Sequence, residues 1–263
     1  MTLIVTESLC CMTSELCRAN NTVIVPIECF VEGKRYSDRI TNDVPPPDNS
    51  YSIPPSADIY EKSFRKAISA GHKVLCITTS KKISSSYENA VAAAEGFSPE
   101  VVRVFDSGVV AGGLFLMVKH IRENFGDDSE LSCMIDSLED YRKRITVKFT
   151  SNTTERLITT NRLAGSDGGE KSTSDQKPIF VMEDGGIIHK TSASPGFREI
   201  SELVSILDDP KYVVLHYLEK NAYLRDVGMA IKEKCPNAKI FTLPITLSLK
   251  INLGTSIIGI IGD

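Results

Sequence analysis

Short apolar runs alternate with helix-like periodicity through the first half of the chain. Residues 2–6, 23–27, 74–77 and 101–105 are rich in β-branched side chains and end in polar turns, so each reads as a buried strand. Between them, the 3.6-residue spacing of apolar positions predicts helices over 13–20, from Ser56 as N-cap to residue 70, over 109–124 (amphipathic) and over 129–143. Residues 30–36 read as a hairpin turned at Glu32-Gly33. Residues 42–55 hold five prolines and little periodicity, which predicts a long loop. Strands alternating with helices imply parallel pairing through right-handed crossovers.

The second half has a different texture. Residues 145–150 alternate in polarity as a strand does, and 153–163 suit a helix. Residues 165–176 are rich in Gly, Ser and Asp and read as a flexible loop. Residues 178–182 and 187–191 form a hairpin around Asp184-Gly185-Gly186. A helix after Pro195, a strand over 212–216, a helix over 221–234 and a strand over 240–243 follow. The segments 247–251 and 257–261 flank a Gly-Thr-Ser turn. The expected fold class is therefore α/β in two domains. Residues 1–145 form a Rossmann-like α/β/α domain with a mainly parallel sheet, and 146–263 an α/β sandwich with a mainly antiparallel sheet.

The densest chemistry lies between the strand at 74–77 and the Ala-rich helix that Gly96 closes. Thr78, Thr79, Ser80, Ser84, Ser85 and Ser86 fill that junction. A strand opening through hydroxyl residues into a helix N-terminus can bind an anion, because the first N–H groups lack partners and the dipole favours negative charge. The plainer reading is that Ser85 and Glu88 make a capping box and the other serines are loop. Ligands of open α/β sheets sit at the carboxyl ends of the strands. Glu7-Ser8, the serine loop and Asp106-Ser107 all fall at such ends.

Composition narrows the field. A net charge of -4 argues against a nucleic-acid partner. No apolar run reaches the length of a membrane span and no signal peptide opens the chain, so a cytoplasmic location is expected. The seven cysteines are scattered without a CxxC pair, which fits neither a disulfide framework nor a metal site; a reactive thiol at Cys10 or Cys11 stays open. Phosphate-loop, dinucleotide, zinc-protease and nucleophile-elbow motifs are missing. His72, His120, His189 and His216 lack ligand spacing and read as structural, although His216 closes a strand.

Several blocks in order resemble the DegV family of bacterial fatty-acid-binding proteins, the EDD fold. These are IVTES, VIVPIECFVEGKRYSD, Pro55-Ser56, SKKISSSYENA, VFDSGVVAGGL, TTERLITTNRL and KPIFVMEDGGI. The resemblance covers nearly the whole chain. It implies a non-catalytic lipid-binding protein that holds a long-chain fatty acid in a tunnel between its two domains. It also implies a partner, a separate dihydroxyacetone-kinase-like fatty-acid kinase that phosphorylates the acid, and no cofactor or metal beyond the bound acid. Carried over by position, Ser84 falls on the family's carboxylate-binding serine and Ser52 on the hydroxyl of its Thr-Ser-Gln-Pro-Ser segment. Ser85, Ser86, Asn252, Arg162 and Ser8 are set near the ligand. Asn252 stands where the family has a histidine, and it cannot titrate near neutral pH. That departure leaves two alternatives open: a lipid sensor or store without phosphoryl presentation, and a small-molecule enzyme using the same cleft with Asp106 or Glu7 as base.

Overall fold

The computed structural model describes residues 1–38, 40, 49–151, 154–164, 175–254 and 256–263. The chain begins with β1 (Thr2–Glu7), a 3-10 turn, α1 (Ser14–Ala19), β2 (Thr22–Val25) and the hairpin β3 (Glu28–Val31) and β4 (Lys34–Ser37). Then come β5 (Tyr51–Ile53), α2 (Ala57–Ser69), β6 (Lys73–Thr78), α3 (Ser86–Ala94), β7 (Val102–Asp106), α4 (Gly112–Asn124) and α5 (Leu131–Arg142). The remainder is β8 (Thr146–Thr150), α6 (Glu155–Thr159), β9 (Lys177–Glu183), β10 (Gly186–Ala193), α7 (Phe197–Val204), β11 (Tyr212–Tyr217), α8 (Ala222–Lys234), β12 (Lys239–Pro244), α9 (Leu247–Leu253) and β13 (Ile258–Gly262).

Two sheets carry the architecture. The first has the order β2-β1-β6-β7 with every pairing parallel. The second has the order β10-β9-β8-β13-β11-β12 and is antiparallel except between β11 and β12. The fold is thus mixed α/β with one parallel and one mainly antiparallel sheet, as the strand–helix alternation of the first half and the hairpin-rich order of the second predict. Turn chemistry holds the two hairpins: Glu32-Gly33 and Asp184-Gly185 all take positive φ, the conformation a two-residue type I′ turn requires.

The structure departs from the sequence reading in four places. The expected loop over 42–55 contains β5, which pairs with β3 and adds a third, small antiparallel sheet, β4-β3-β5. Residues 42–48 of that loop, residue 153, residues 165–174 of the Gly-rich segment and residue 255 of the Gly-Thr-Ser turn lie outside the described residues. The helix expected over 153–163 shortens to α6, and Asn161 beyond it takes a positive φ. Helix α4 starts at Gly112 rather than 109, because Ala111 adopts φ 55, ψ -129. Nor is α4 amphipathic in its setting: Gly112 to Val118 are all buried, since the helix packs against β6 on one side and β11 and β13 on the other. Its first two turns are apolar all round, and such a stretch belongs inside.

The start of α4 explains one glycine. A Cβ on Gly112 would lie 2.6 Å from Val214 Cγ1 and 2.8 Å from His216 Nε2, so only glycine lets helix and sheet approach this closely. The Gly112 N–H donates to His216 Nε2 at 2.8 Å, which satisfies a helix-end donor with a side chain of the second sheet. One continuous apolar core joins the faces of both sheets through α4 and α5.

Candidate functional site

At the carboxyl end of the parallel sheet, the serine loop is built by hydrogen bonds to its neighbours. Thr79 N–H donates to Glu7 Oε1 at 2.8 Å, and Lys81 N–H to Asp106 Oδ1 at 3.1 Å. Ser80 Oγ donates to the Gly185 carbonyl at 2.6 Å, which ties the loop to the β9–β10 turn of the other sheet. Ser86 N–H donates to Ser84 Oγ at 3.3 Å, and the two hydroxyls lie 2.9 Å apart. Ser85 occupies the N-cap of α3 but makes no side-chain cap bond, so the capping box with Glu88 is not formed.

Beside this loop lies a cavity of about 80 Å³, taken as the space open to the centre of a water-sized sphere. One such sphere needs about 10–15 Å³, so the space is narrow but holds several. Its walls come from the loops at the carboxyl end of the parallel sheet, from β5, from strands of the mixed sheet and from α6 and α9. Leu9, Ile27, Ile83 and Val110 precede residue 145; Val147, Phe149, Leu157, Leu249 and Ile257 follow it. The surface the wall exposes is mainly apolar, which favours an apolar guest over ordered water.

Polar groups gather at one part of the lining. Asn252, in α9, donates from Nδ2 to Ser52 Oγ at 2.9 Å and to the Ser248 carbonyl at 2.7 Å. Arg162 donates from Nη1 to Asn252 Oδ1 at 2.7 Å and from Nε to the Ile83 carbonyl at 3.1 Å, the residue before Ser84. Burial lowers the affinity of its guanidinium for the proton, yet arginine remains a cation in such settings. Arg162 makes no ion pair among the described residues. Ser52 reaches the site on β5, Ser84 on the serine loop, Arg162 just beyond α6 and Asn252 on α9, so residues far apart in the chain meet here.

The other candidates fall elsewhere. Ser86 is buried behind Ser84 and donates to Glu7 Oε2 at 2.9 Å. Ser85 is exposed. Ser8 is buried with its hydroxyl engaged: it donates to Asp38 Oδ2 at 2.6 Å and accepts from Ile27 N–H at 3.1 Å. Neither Glu7 nor Asp106 lines the cavity, which separates both from the role of a base acting on a guest within it. Burial pushes the thiols of Cys10 and Cys11 well up, so neither is a nucleophile near neutral pH. No cluster able to hold a metal ion occurs among the described residues, and no described helix is long and apolar enough to cross a membrane.

Three groups at the site escaped the sequence reading. His216 lines the cavity, donating from Nδ1 to the Leu243 carbonyl at 3.1 Å while Nε2 accepts from Gly112. Burial lowers its pKa to about 4, so it stands as a neutral wall. Its place at the end of a strand was the available signal. Asp38 is buried and accepts from Ser8 Oγ, from Ser248 N–H at 2.7 Å and from Ser248 Oγ at 2.6 Å. It thereby ties the β4 end to the first turn of α9, a long-range contact that local pattern does not announce. Arg156 donates to the carbonyls of Ser50 at 3.0 Å and Ile251 at 2.6 Å, joining the β5 segment to α9.

Comparison with known proteins agrees with this architecture. A family model described as "uncharacterised protein, DegV family" matches residues 1–262. A DegV domain-containing protein of Staphylococcus aureus is 23% identical over 190 residues, covering 70% of this chain and 68% of its own. Among solved structures, one describing fatty acid binding of a DegV family protein from Thermus thermophilus superposes with a TM-score of 0.84 at 19% identity, covering 99% of this chain and 98% of that one. A stearic-acid-binding protein from Eubacterium ventriosum superposes at 0.82 and 19% identity, covering 99% and 97%. With a family model spanning all but its last residue and the same fold in these structures, the chain is a member of the DegV family.

Proposed function

We propose that this protein binds a long-chain fatty acid in the apolar cavity, with the carboxylate held by Ser84 and Ser52 and flanked by Arg162 and Asn252. The observation that carries the reading is the pairing of a mainly apolar wall with a polar part, where two hydroxyls, an amide and a half-buried cation line the cavity. Each methylene taken from water contributes about 0.8 kcal/mol, so a 16-carbon tail supplies on the order of 10 kcal/mol before ordering costs. The head group then needs only satisfied hydrogen bonds and a nearby positive charge, because an unpaired buried carboxylate is costly. Relatives of the same fold are described as binding fatty acids, stearic acid among them.

The binder is taken as two domains, residues 1–145 and 146–263, with the cavity between them. The parallel sheet draws all its strands from the first segment and the mixed sheet all its strands from the second. The protein is not itself the catalyst in this reading; it presents the acid to a separate fatty-acid kinase. Asn252 favours a second reading, a lipid sensor or store. Its amide is committed to Ser52, Ser248 and Arg162 and does not titrate near pH 7, so it cannot do what a titrating histidine does.

Native mass spectrometry of the purified protein, followed by denaturing lipid extraction, tests the proposal. A co-purified long-chain acid is expected. A bare protein that also refuses added palmitate would overturn it. The double variant Ser84→Ala, Ser52→Ala should keep the thermal transition within a few degrees and weaken palmitate binding by ten- to a hundredfold, about 1–3 kcal/mol for lost hydrogen bonds to a charged group. Unchanged affinity in that variant would relocate the head group.

A further inference from the structure

Glu7 ends β1 fully buried and does not line the cavity, yet hydroxyl groups connect it to the head-group serine. Its Oε2 accepts from Ser86 Oγ at 2.9 Å, and Ser86 Oγ lies 2.9 Å from Ser84 Oγ, which faces the cavity. Its Oε1 is occupied by Thr79 N–H at 2.8 Å. A serine hydroxyl has one proton to donate. With Glu7 ionised, Ser86 donates to the carboxylate, Ser84 donates to Ser86, and Ser84 turns only lone pairs toward the cavity. A carboxylate guest would then find no donor on Ser84. With Glu7 protonated the chain runs the other way: Glu7 donates to Ser86, Ser86 to Ser84, and Ser84 into the cavity.

We propose that Glu7 is a positioning residue for the head group, and that a carboxylate ligand binds together with one proton stored on the Glu7–Ser86–Ser84 chain. The inference rests on the cavity being the fatty-acid site. Per ligand bound, one proton is taken from solvent onto Glu7 and the two serine hydroxyls exchange hydrogen-bond partners, with no other bond made or broken. The number of ionised carboxylates stays at one, since the guest brings one and the proton cancels the charge of Glu7. Two carboxylates joined through only two hydroxyls disfavour joint ionisation.

The surroundings suit this role. The titratable groups facing Glu7 are Tyr60 on α2, Cys76 on β6 and Cys10 beyond β1, all held protonated by burial. Glu7 makes no ion pair among the described residues. Burial raises its pKa to about 7, opposed by the hydrogen bonds from Thr79 N–H and Ser86, so proton exchange falls near neutral pH.

Isothermal calorimetry with dodecanoate, at pH 6.5 and 8.5 in two buffers of different ionisation heat, tests the inference. Wild type should take up close to one proton per ligand at pH 8.5 and clearly less at 6.5. Its affinity should fall about tenfold per pH unit above 7, as one linked proton requires. Glu7→Gln keeps an acceptor for Thr79 and a donor for Ser86, so it should bind without proton uptake and with pH-independent affinity. Ser86→Ala cuts the chain and leaves the Ser84 proton free for the cavity, so it should bind without proton uptake and lose the pH dependence; it serves if Glu7→Gln fails to fold. Dodecanoate binding by wild type with no proton uptake at pH 8.5, or equal uptake by either variant, would overturn the inference alone. No binding by wild type at either pH would overturn it together with the lipid site.

Discussion

The lining contains a notch that can be filled without touching the polar end. Gly259 sits on β13 opposite His216 of β11 on one side and Phe149 of β8 on the other, and all three line the cavity. A Cβ there would meet His216 Cβ at 3.5 Å and Phe149 Cβ at 3.6 Å, which is ordinary van der Waals contact. In Gly259→Val the side chain would stand among cavity-lining groups on a residue with ordinary strand geometry. Removing a strand glycine recovers about 0.5–1 kcal/mol of chain entropy, and valine suits a strand. The fold should gain roughly 1 kcal/mol, and the thermal midpoint should rise by about 2–4 °C. Binding should move the other way. Three side-chain carbons displace about three methylenes of the tail at about 0.8 kcal/mol each, or roughly 2.4 kcal/mol, which is about fiftyfold in affinity. Displacement of a fluorescent fatty acid by palmitate reads the affinity, and octanoate, whose shorter tail needs less of the cavity, should lose less. Undiminished palmitate affinity in a variant that melts no lower would show that the tail does not run past β13. A midpoint several degrees lower would refute the open notch itself.

Two further perturbations probe what holds the cavity together. Asp38→Ala leaves the donors of Ser8 and Ser248 without their acceptor, and should cost about 3 kcal/mol in urea denaturation with an unchanged slope; a loss under about 1 kcal/mol would mean that water or a rotated hydroxyl replaces it. His216 is held neutral with its pKa lowered to about 4, whereas an unfolded histidine titrates near 6.5. The unfolded chain therefore takes the proton first, and the native state loses about 3 kcal/mol from this group as pH falls from 6.5 toward 4. His216→Gln keeps an acceptor for Gly112 N–H and does not titrate, so the stability gap between wild type and variant should shrink across that window. A gap that is constant with pH would refute the assignment.

Much of the architecture was legible because it is governed by local physics. β-Branched runs bounded by turns marked β1, β6 and β7, and Asp184-Gly185 marked a hairpin through the positive φ its turn demands. The crowded hydroxyls after β6 marked a junction worth watching, and the order of family blocks singled out Ser84, Ser52, Arg162 and Asn252. Local pattern misled where a tertiary partner decided the outcome. Tyr51–Ile53 lie in a stretch with five prolines nearby, yet they form β5 because β3 offers an open edge. Helix α4 carries enough polar residues to look amphipathic, but most of these lie in its last two turns, and its first two turns are enclosed by both sheets.

Sequence by itself thus determined most of the element types, the two kinds of sheet and the family, since each follows from short-range periodicity, turn chemistry or block order. Tertiary structure alone decided that Asn252 bonds to both Ser52 and Arg162, that Asp38 fastens the β4 end to α9, and that Glu7 reaches Ser84 through Ser86. Those contacts join residues up to 210 positions apart. A hydrogen bond across such a separation depends on where two sheets and the helix between them come to rest, and no local spacing encodes that.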